Sequence, residues 1–179
     1  IKQKFFLQIT RFEPENNPLL TINAFKQFKL ENPNSNLKLI IIGDVPYPSR
    51  YSKLIKSEKR KDIILPGYIY DITILTELRA NSLAYIHGNQ VGGTNPALLE
   101  AMGSHAFIIA RSVDFNQEVL EKGGIYYENN IDSLKNCFNL VYLKRVDRIK
   151  AIDFCVNKVK IYYNWDRIAQ KYREMIEKL

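Results

Sequence analysis

Residues 92–96 read Gly92-Gly93-Thr94-Asn95-Pro96 and run directly into the apolar stretch Ala97-Leu98-Leu99. Two glycines allow backbone turns that other residues resist, Thr94 or Asn95 is of the type that caps a helix, and Pro96 fits a first helical turn. A helix that opens this way presents unpaired amides and roughly half an elementary charge, which suits an anion such as a diphosphate. Glycine-rich helix openings also occur in α/β proteins that bind nothing there, so the segment alone leaves both readings open. Glu100 follows on the same predicted helix, flanked by Leu98, Leu99, Ala101 and Met102. A carboxylate among such neighbours wants partners. Three readings fit: ribose hydroxyls donating to it with the phosphates at the helix tip, a salt bridge, or a surface position.

Arg11 lies in a second polar segment, Thr10-Arg11-Phe12-Glu13-Pro14-Glu15-Asn16-Asn17. Its guanidinium is either a fixed phosphate cation, binding through paired donors, or an ordinary surface charge. His87 ends the apolar run Leu83 to His87. It lines a diphosphate, donates to a leaving oxygen, or is a satisfied histidine at a strand end. His105 reads as structural.

Positioning these residues requires a scaffold, and the hydrophobic pattern supplies one. Short apolar runs at Lys4 to Ile9, Leu37 to Ile42, Ile63 to Leu65, Leu83 to His87, Ala106 to Ala110 and Gly124 to Tyr126 predict six strands, several apolar throughout as in a sheet covered on both faces. Amphipathic stretches predict helices at about 17–31, 49–59, 72–80, 95–103, 115–121 and 132–143, with Asp71, Thr94, Asp114 and Ile131 just ahead of four of them. Alternation of this kind predicts an α/β fold, a Rossmann-like doubly wound parallel sheet. Two further helices, broken near Asn164 and Trp165, follow from about Val146 to Leu179. In the last, Ile168, Ala169, Tyr172, Met175, Ile176 and Leu179 share a face opposite Arg167, Lys171, Arg173, Glu174 and Lys178, which predicts core packing.

A chain of 179 residues with 46% hydrophobic residues and 12% aromatic residues supports one domain, residues 1–179. No apolar run approaches the ~20 residues of a membrane helix, and no signal-like segment opens the chain. Because it begins almost at once with a strand, the expectation is a piece of a longer protein. Cys137 and Cys155 have neither disulfide nor zinc spacing and read as buried thiols. The net charge of +7 is spread along the chain. Its densest cluster, Lys53, Lys56, Lys59, Arg60 and Lys61, suits a solvated face or contact with phosphate or an anionic membrane. No nucleic-acid motif accompanies it, and no nucleic-acid partner is expected.

Ligands of a doubly wound sheet sit beyond the carboxyl ends of the strands, where the strand order reverses, and both polar segments follow strands. At this point the residues resemble a known family. Residues 92 to 102, Gly-Gly-Thr-Asn-Pro-Ala-Leu-Leu-Glu-Ala-Met, are similar to the donor-binding helix of the retaining glycosyltransferases of family 4, and residues 10 to 17 to that family's phosphate loop. Ile42-Gly43-Asp44, Leu65-Pro66-Gly67-Tyr68-Ile69-Tyr70-Asp71 and Asn164-Trp165-Asp166 match further landmarks. The resemblance implies one half of a GT-B architecture. Glu100 then corresponds to the second glutamate of an E-x7-E motif and holds the ribose, Arg11 to the phosphate arginine, and Tyr68, Ile69 and Tyr70 to the base site. Asn16, Gly43, Gly92, Gly93, Thr94 and Asn95 complete the donor site implied. Two departures stand out: Gly92 occupies the position of the first glutamate, and Asn16 falls near a family lysine.

Residues 87 to 96, His-Gly-Asn-Gln-Val-Gly-Gly-Thr-Asn-Pro, together with residues 13 to 17, resemble rhamnosyltransferases of bacterial capsule and O-antigen pathways. That resemblance implies dTDP-L-rhamnose as donor and a glycan or lipid-linked glycan as acceptor, bound by a separate N-terminal domain. It also implies a cytoplasmic enzyme at the inner face of the membrane, with no cofactor and no metal. Catalysis would come from Arg11, His87 and the helix amides stabilising a departing nucleoside diphosphate, and the isolated piece would transfer little. Two alternatives stay open, a nucleotide-sugar 2-epimerase-like domain and a non-catalytic nucleotide-binding or scaffold module. An oxidoreductase would need G-x-G-x-x-G after the first strand, which Thr-Arg-Phe-Glu-Pro-Glu does not supply.

Overall fold

The structure is a computed structural model and describes residues 4–177. Six strands form one parallel sheet: β1 (Phe5–Ile9), β2 (Lys38–Ile42), β3 (Ile63–Gly67), β4 (Ala84–His87), β5 (Ile108–Arg111) and β6 (Gly124–Tyr127), in the order β3-β2-β1-β4-β5-β6. The order reverses between β1 and β4. Helices α1 (Pro18–Glu31), α2 (Arg50–Ser57) and α6 (Ile131–Tyr142) cover one face. The other face carries α3 (Ile72–Asn81), α4 (Pro96–Gly103), α5 (Asp114–Leu120) and the later part of α7 (Arg148–Tyr162), a helix whose Ala151 and Ile152 pack with the core of the first face. Burial on both sides is why Phe5, Phe6 and Leu7 are consecutive and all buried. On the α1 side, Phe6, Phe25, Phe28 and Phe138 form an aromatic cluster, with Phe6 and Phe138 4.5 Å apart between ring centres.

The predicted six-strand α/β architecture is the one observed, with shifts at the ends of elements. β5 starts later than the apolar run, because Ala106 and Phe107 are buried without being paired within the strand. Apolar runs report burial, and pairing begins where the register allows. Asp114 and Ile131 are the first residues of their helices; Val113 and Asn130 stand at the N-cap positions. Asn130 Oδ1 accepts from the Ser133 amide at 2.7 Å, so the cap is the amide side chain one residue earlier. Both cysteines are free and buried, as expected.

The expected core packing of the last helix is corrected. α8 (Trp165–Ile176) has no buried residue, and Trp165, Tyr172, Met175 and Ile176 are all exposed. Its apolar stripe exists but no element of the described chain covers it; Lys178 and Leu179 lie outside the described residues.

Asp71 caps α3, its Oδ1 accepting from the Thr73 amide at 2.8 Å and the Ile74 amide at 3.2 Å. Asp71→Ala is expected to lower stability by about 1 kcal/mol, the usual worth of such a cap. The measurement is the midpoint of urea unfolding at unchanged slope. A midpoint that does not move would mean that water replaces the side chain at this exposed end.

Candidate functional site

Four segments emerge at the carboxyl ends of β1, β2, β3 and β4. The first two are held together by backbone bonds, Thr10 N–H to the Ile42 carbonyl at 2.9 Å and Phe12 N–H to that of Asp44 at 3.4 Å. Gly43 has φ of +133°, and a Cβ there would lie 1.9 Å from the Thr10 carbonyl oxygen. Only glycine lets β2 leave the sheet this close to the β1 loop. A cavity of about 280 Å3 opens there, lined by Phe12, Gly43, Asp44, Lys56 and Gly67. Burial raises the Asp44 carboxyl, but Lys56 at 2.7 Å and the Val45 amide outweigh it and leave its pKa lowered.

The β1 and β4 loops, on either side of the strand-order switch, are braced by amide side chains. Gln8 Nε2 donates to the Asn16 carbonyl at 2.9 Å, Asn89 Nδ2 to Asn16 Oδ1 at 2.9 Å, and Asn17 Nδ2 to the Gly88 carbonyl at 2.8 Å. The backbone adds Gln90 N–H to the Glu15 carbonyl at 3.0 Å. Asn17 adopts φ of 57°, a left-handed conformation that asparagine tolerates, and so turns the chain into α1. Gly88 lies against the opposing loop; a Cβ there would come within 2.2 Å of the Asn16 carbonyl oxygen. From α5, Asn116 Nδ2 donates to the carbonyls of Asn89 and Arg111, each at 3.0 Å.

Within this frame the expected site residues fall into two groups. Gly92, Gly93 and Thr94 are exposed, and their amides and that of Asn95 have no protein acceptor among the described residues. Asn95, not Thr94, caps α4, its Oδ1 accepting from the Ala97 amide at 2.9 Å, and Pro96 occupies the first turn. These donors are therefore available to an anion at the α4 tip. Arg11 is exposed over 68% of its side chain, with Nε 3.5 Å from Glu13 Oε2. The Tyr47 hydroxyl donates to Glu13 and holds that carboxyl below its usual range. Tyr68 and Tyr70 stand exposed with their rings stacked at 5.7 Å, while Ile69 packs inward.

Asn16 and His87 are enclosed, unlike the exposed group above. Asn16 is buried, and its side chain is engaged with Asn89 and, through Nδ2, with the Arg11 carbonyl at 3.2 Å. It braces the two loops. His87 is 1% exposed, and Nε2 has no hydrogen-bond partner. Burial pushes its pKa down to about 4, against an opposing effect of the Asn116 side chain. Neutral and enclosed, the ring is kept from the open surface in this structure. Glu100 is 47% exposed and has the salt-bridge partner that its apolar neighbours demanded: Arg79 Nη2, 2.5 Å from Oε2.

Arg79 was not singled out from the sequence. The signal was its spacing, four residues after Leu75, on the stripe by which α3 packs inward. The lysine cluster is partly neutralised, Lys56 by Asp44 and Arg60 by Asp62. Among the described residues no group of three His, Cys, Asp or Glu side chains is placed to hold a metal ion, and no helix is long and apolar enough to cross a membrane. A larger hollow of about 610 Å3 lies at the other end of the sheet, by the amino ends of the central strands β1 and β4, lined by Lys4, Ser82, Tyr142 and Arg148 among others, and contains none of the candidate residues.

A doubly wound parallel sheet of this order is a Rossmann-like α/β fold, and it matches the fold of GT-B glycosyltransferase structures. Residues 1–152 match the family described as Glycosyl transferases group 1, and the chain belongs to that family. Among solved structures it is similar to a glycosyltransferase from Rickettsia africae, with a TM-score of 0.84 at 15% identity, covering 99% of this chain and 48% of that one. It is also similar to Anabaena HepE in complex with UDP-glucose, with a TM-score of 0.81 at 16% identity over 99% of this chain and 50% of that one. A third likeness is to the C-terminal domain of a group 1 glycosyltransferase, LpcC, from Francisella tularensis, with a TM-score of 0.77 at 18% identity over 92% and 89%. At these identities the likeness is one of fold. The chain spans about half the length of the first and second of these structures.

Proposed function

We propose that this chain is the donor-binding, C-terminal half of a GT-B glycosyltransferase that holds a nucleoside diphosphate sugar. The observation that carries the reading is the open row of amides from Gly92 to Asn95, set beside a β1 loop that is braced to it by Asn16, Asn17 and Asn89. In this reading the amides and Arg11 take the diphosphate, Tyr68 and Tyr70 flank the base, and Oε1 of Glu100 accepts a ribose hydroxyl. Charge building on the departing diphosphate is met by donors already oriented, without a metal ion or cofactor. The likeness to the Francisella C-terminal domain supports the assignment to that half. The acceptor, a glycan or lipid-linked glycan, belongs to a second domain, and the reaction takes place in the cytoplasm at the inner face of the membrane. The sequence from His87 to Pro96 supports dTDP-L-rhamnose as donor.

Gly92 has φ of +121°, carries no side chain and faces open space, with nothing within 4 Å of a Cβ placed there. It offers the donor sugar backbone alone. The nucleotide then supplies most of the affinity, and dTDP should bind about as tightly as its sugar.

The test is calorimetric titration of UDP, dTDP, GDP and their sugars into wild type and Arg11→Ala. Because Arg11 is largely exposed, its removal should weaken nucleoside diphosphate binding by about tenfold and leave the fold intact. Unchanged affinity in the folded variant would remove Arg11 from the site. No binding of any nucleotide would favour the scaffold reading, to which the missing side chain at Gly92 already lends weight.

A further inference from the structure

We infer that Arg79 is a positioning residue for donor binding: a buried guanidinium that fixes the Glu100 carboxylate in the orientation the ribose requires. The inference rests on the reading above, in which Glu100 meets the ribose.

Arg79 is 2% exposed, and its Nε and Nη1 atoms are buried without a hydrogen-bond partner. Its salt bridge is the single contact of Nη2 with Glu100 Oε2 at 2.5 Å. One end of this pair is dry and the other is half in water, since the Glu100 side chain is 47% exposed. As a stabilising device the arrangement is poor. An arginine stays charged wherever it is placed, and an apolar side chain of similar size would fill the site without two unmet donors.

The arrangement does determine where a flexible side chain points. A half-exposed glutamate samples several rotamers, and ordering it when a ligand arrives weakens binding. Arg79 is held by its own burial on α3, the helix that packs inward through Leu75 and Leu78. It grips Oε2 from below and leaves Oε1 without a protein partner among the described residues. A carboxylate accepts and does not donate, so the free oxygen is suited to a hydroxyl on the ligand. Glu100 lies on α4 itself, so fixing it also fixes its distance from the amides at the helix tip.

The experiment titrates UDP, dTDP and inorganic pyrophosphate into wild type, Arg79→Met, Arg79→Lys, Glu100→Ala and the double variant Arg79→Met/Glu100→Ala, with a thermal melt of each. Arg79→Met should weaken the nucleoside diphosphates on the order of tenfold while pyrophosphate binding stays put, and Arg79→Lys should recover part of that loss. In the Glu100→Ala background, Arg79→Met should weaken binding no further, because the effect passes through the carboxylate. The double variant removes both charges and guards against Glu100→Ala failing to fold around an unpaired cation. Equal weakening of all ligands by Arg79→Met, or an added loss in the Glu100→Ala background, would overturn the positioning role. If Glu100→Ala reduces the preference for nucleoside diphosphate over pyrophosphate and Arg79→Met leaves it intact, the positioning inference alone fails. If Glu100→Ala leaves that preference intact, or neither nucleotide binds wild type, the ribose reading fails first and takes the inference with it.

Discussion

Gly43→Ala is expected to lose about 4 kcal/mol of stability or more, among the largest effects a single methyl group can have. The new Cβ would sit 1.9 Å from the Thr10 carbonyl oxygen and 2.9 Å from its carbon, and neither belongs to a side chain that could swing away. The backbone on each side is committed as well. Thr10 N–H is bonded to the Ile42 carbonyl and Gly43 N–H to that of Gly67, each at 2.9 Å, so moving the β1 loop away breaks its bond to β2 and moving the end of β2 away breaks its bond to β3. The φ of +133° adds its own strain, because L side chains rarely adopt it. Since Thr10 leads into Arg11, nucleotide affinity should fall together with stability. Guanidinium unfolding of wild type and variant measures the first, and titration of dTDP the second. A loss below about 1 kcal/mol would mean that the β1 loop is loose enough to make room, and the rigid frame described above would have to be abandoned.

How much of this was legible in the sequence depended on whether the cause was local. The strands were legible because a parallel sheet covered on both faces demands consecutive apolar residues, as in Phe5-Phe6-Leu7 and Leu39-Ile40-Ile41-Ile42. The α4 opening was legible because Asn95, Pro96 and the glycines before them act within a few residues of one another. The pairing of Glu100 with Arg79 was not, since it spans 21 positions and joins two helices. Glu100 announced a need for a partner without naming it, and Arg79 looked like a common cation near a helix end until its place on the packing stripe was seen. The bracing role of Asn16 was hidden for a related reason: a polar residue after a strand is equally suited to a ligand and to a neighbouring loop, and the loop it bonds lies 73 positions away. The last helix shows a different limit. Periodicity reveals that α8 has an apolar face and is silent on which body covers it.

The second large effect is acid lability centred on His87. Burial lowers its pKa from an ordinary value near 6.5 to about 4, so in the folded protein the ring stays neutral to well below neutrality. In the unfolded chain it takes up a proton near pH 6.5. Between these values the unfolded state holds more protons than the folded one, so stability must fall as the pH is lowered. The contribution is fully present above about pH 6.5, declines by about 1.4 kcal/mol per pH unit below it, and reaches a loss of about 3 kcal/mol near pH 4. A leucine at this position does not titrate, and it also removes the Nε2 atom that is buried without a partner. Stability of wild type and His87→Leu, measured by urea unfolding from pH 7.5 to 4, should therefore shift relative to one another by about 3 kcal/mol in the variant's favour as the pH falls, with the variant flatter over this window. Carboxylates such as Glu13 and Asp44 titrate in both proteins and cancel in the difference. Parallel curves would show that the ring is protonated as readily folded as unfolded. The side chain would then have to reach water through the β4 loop, and a direct part for His87 at the diphosphate would be open again.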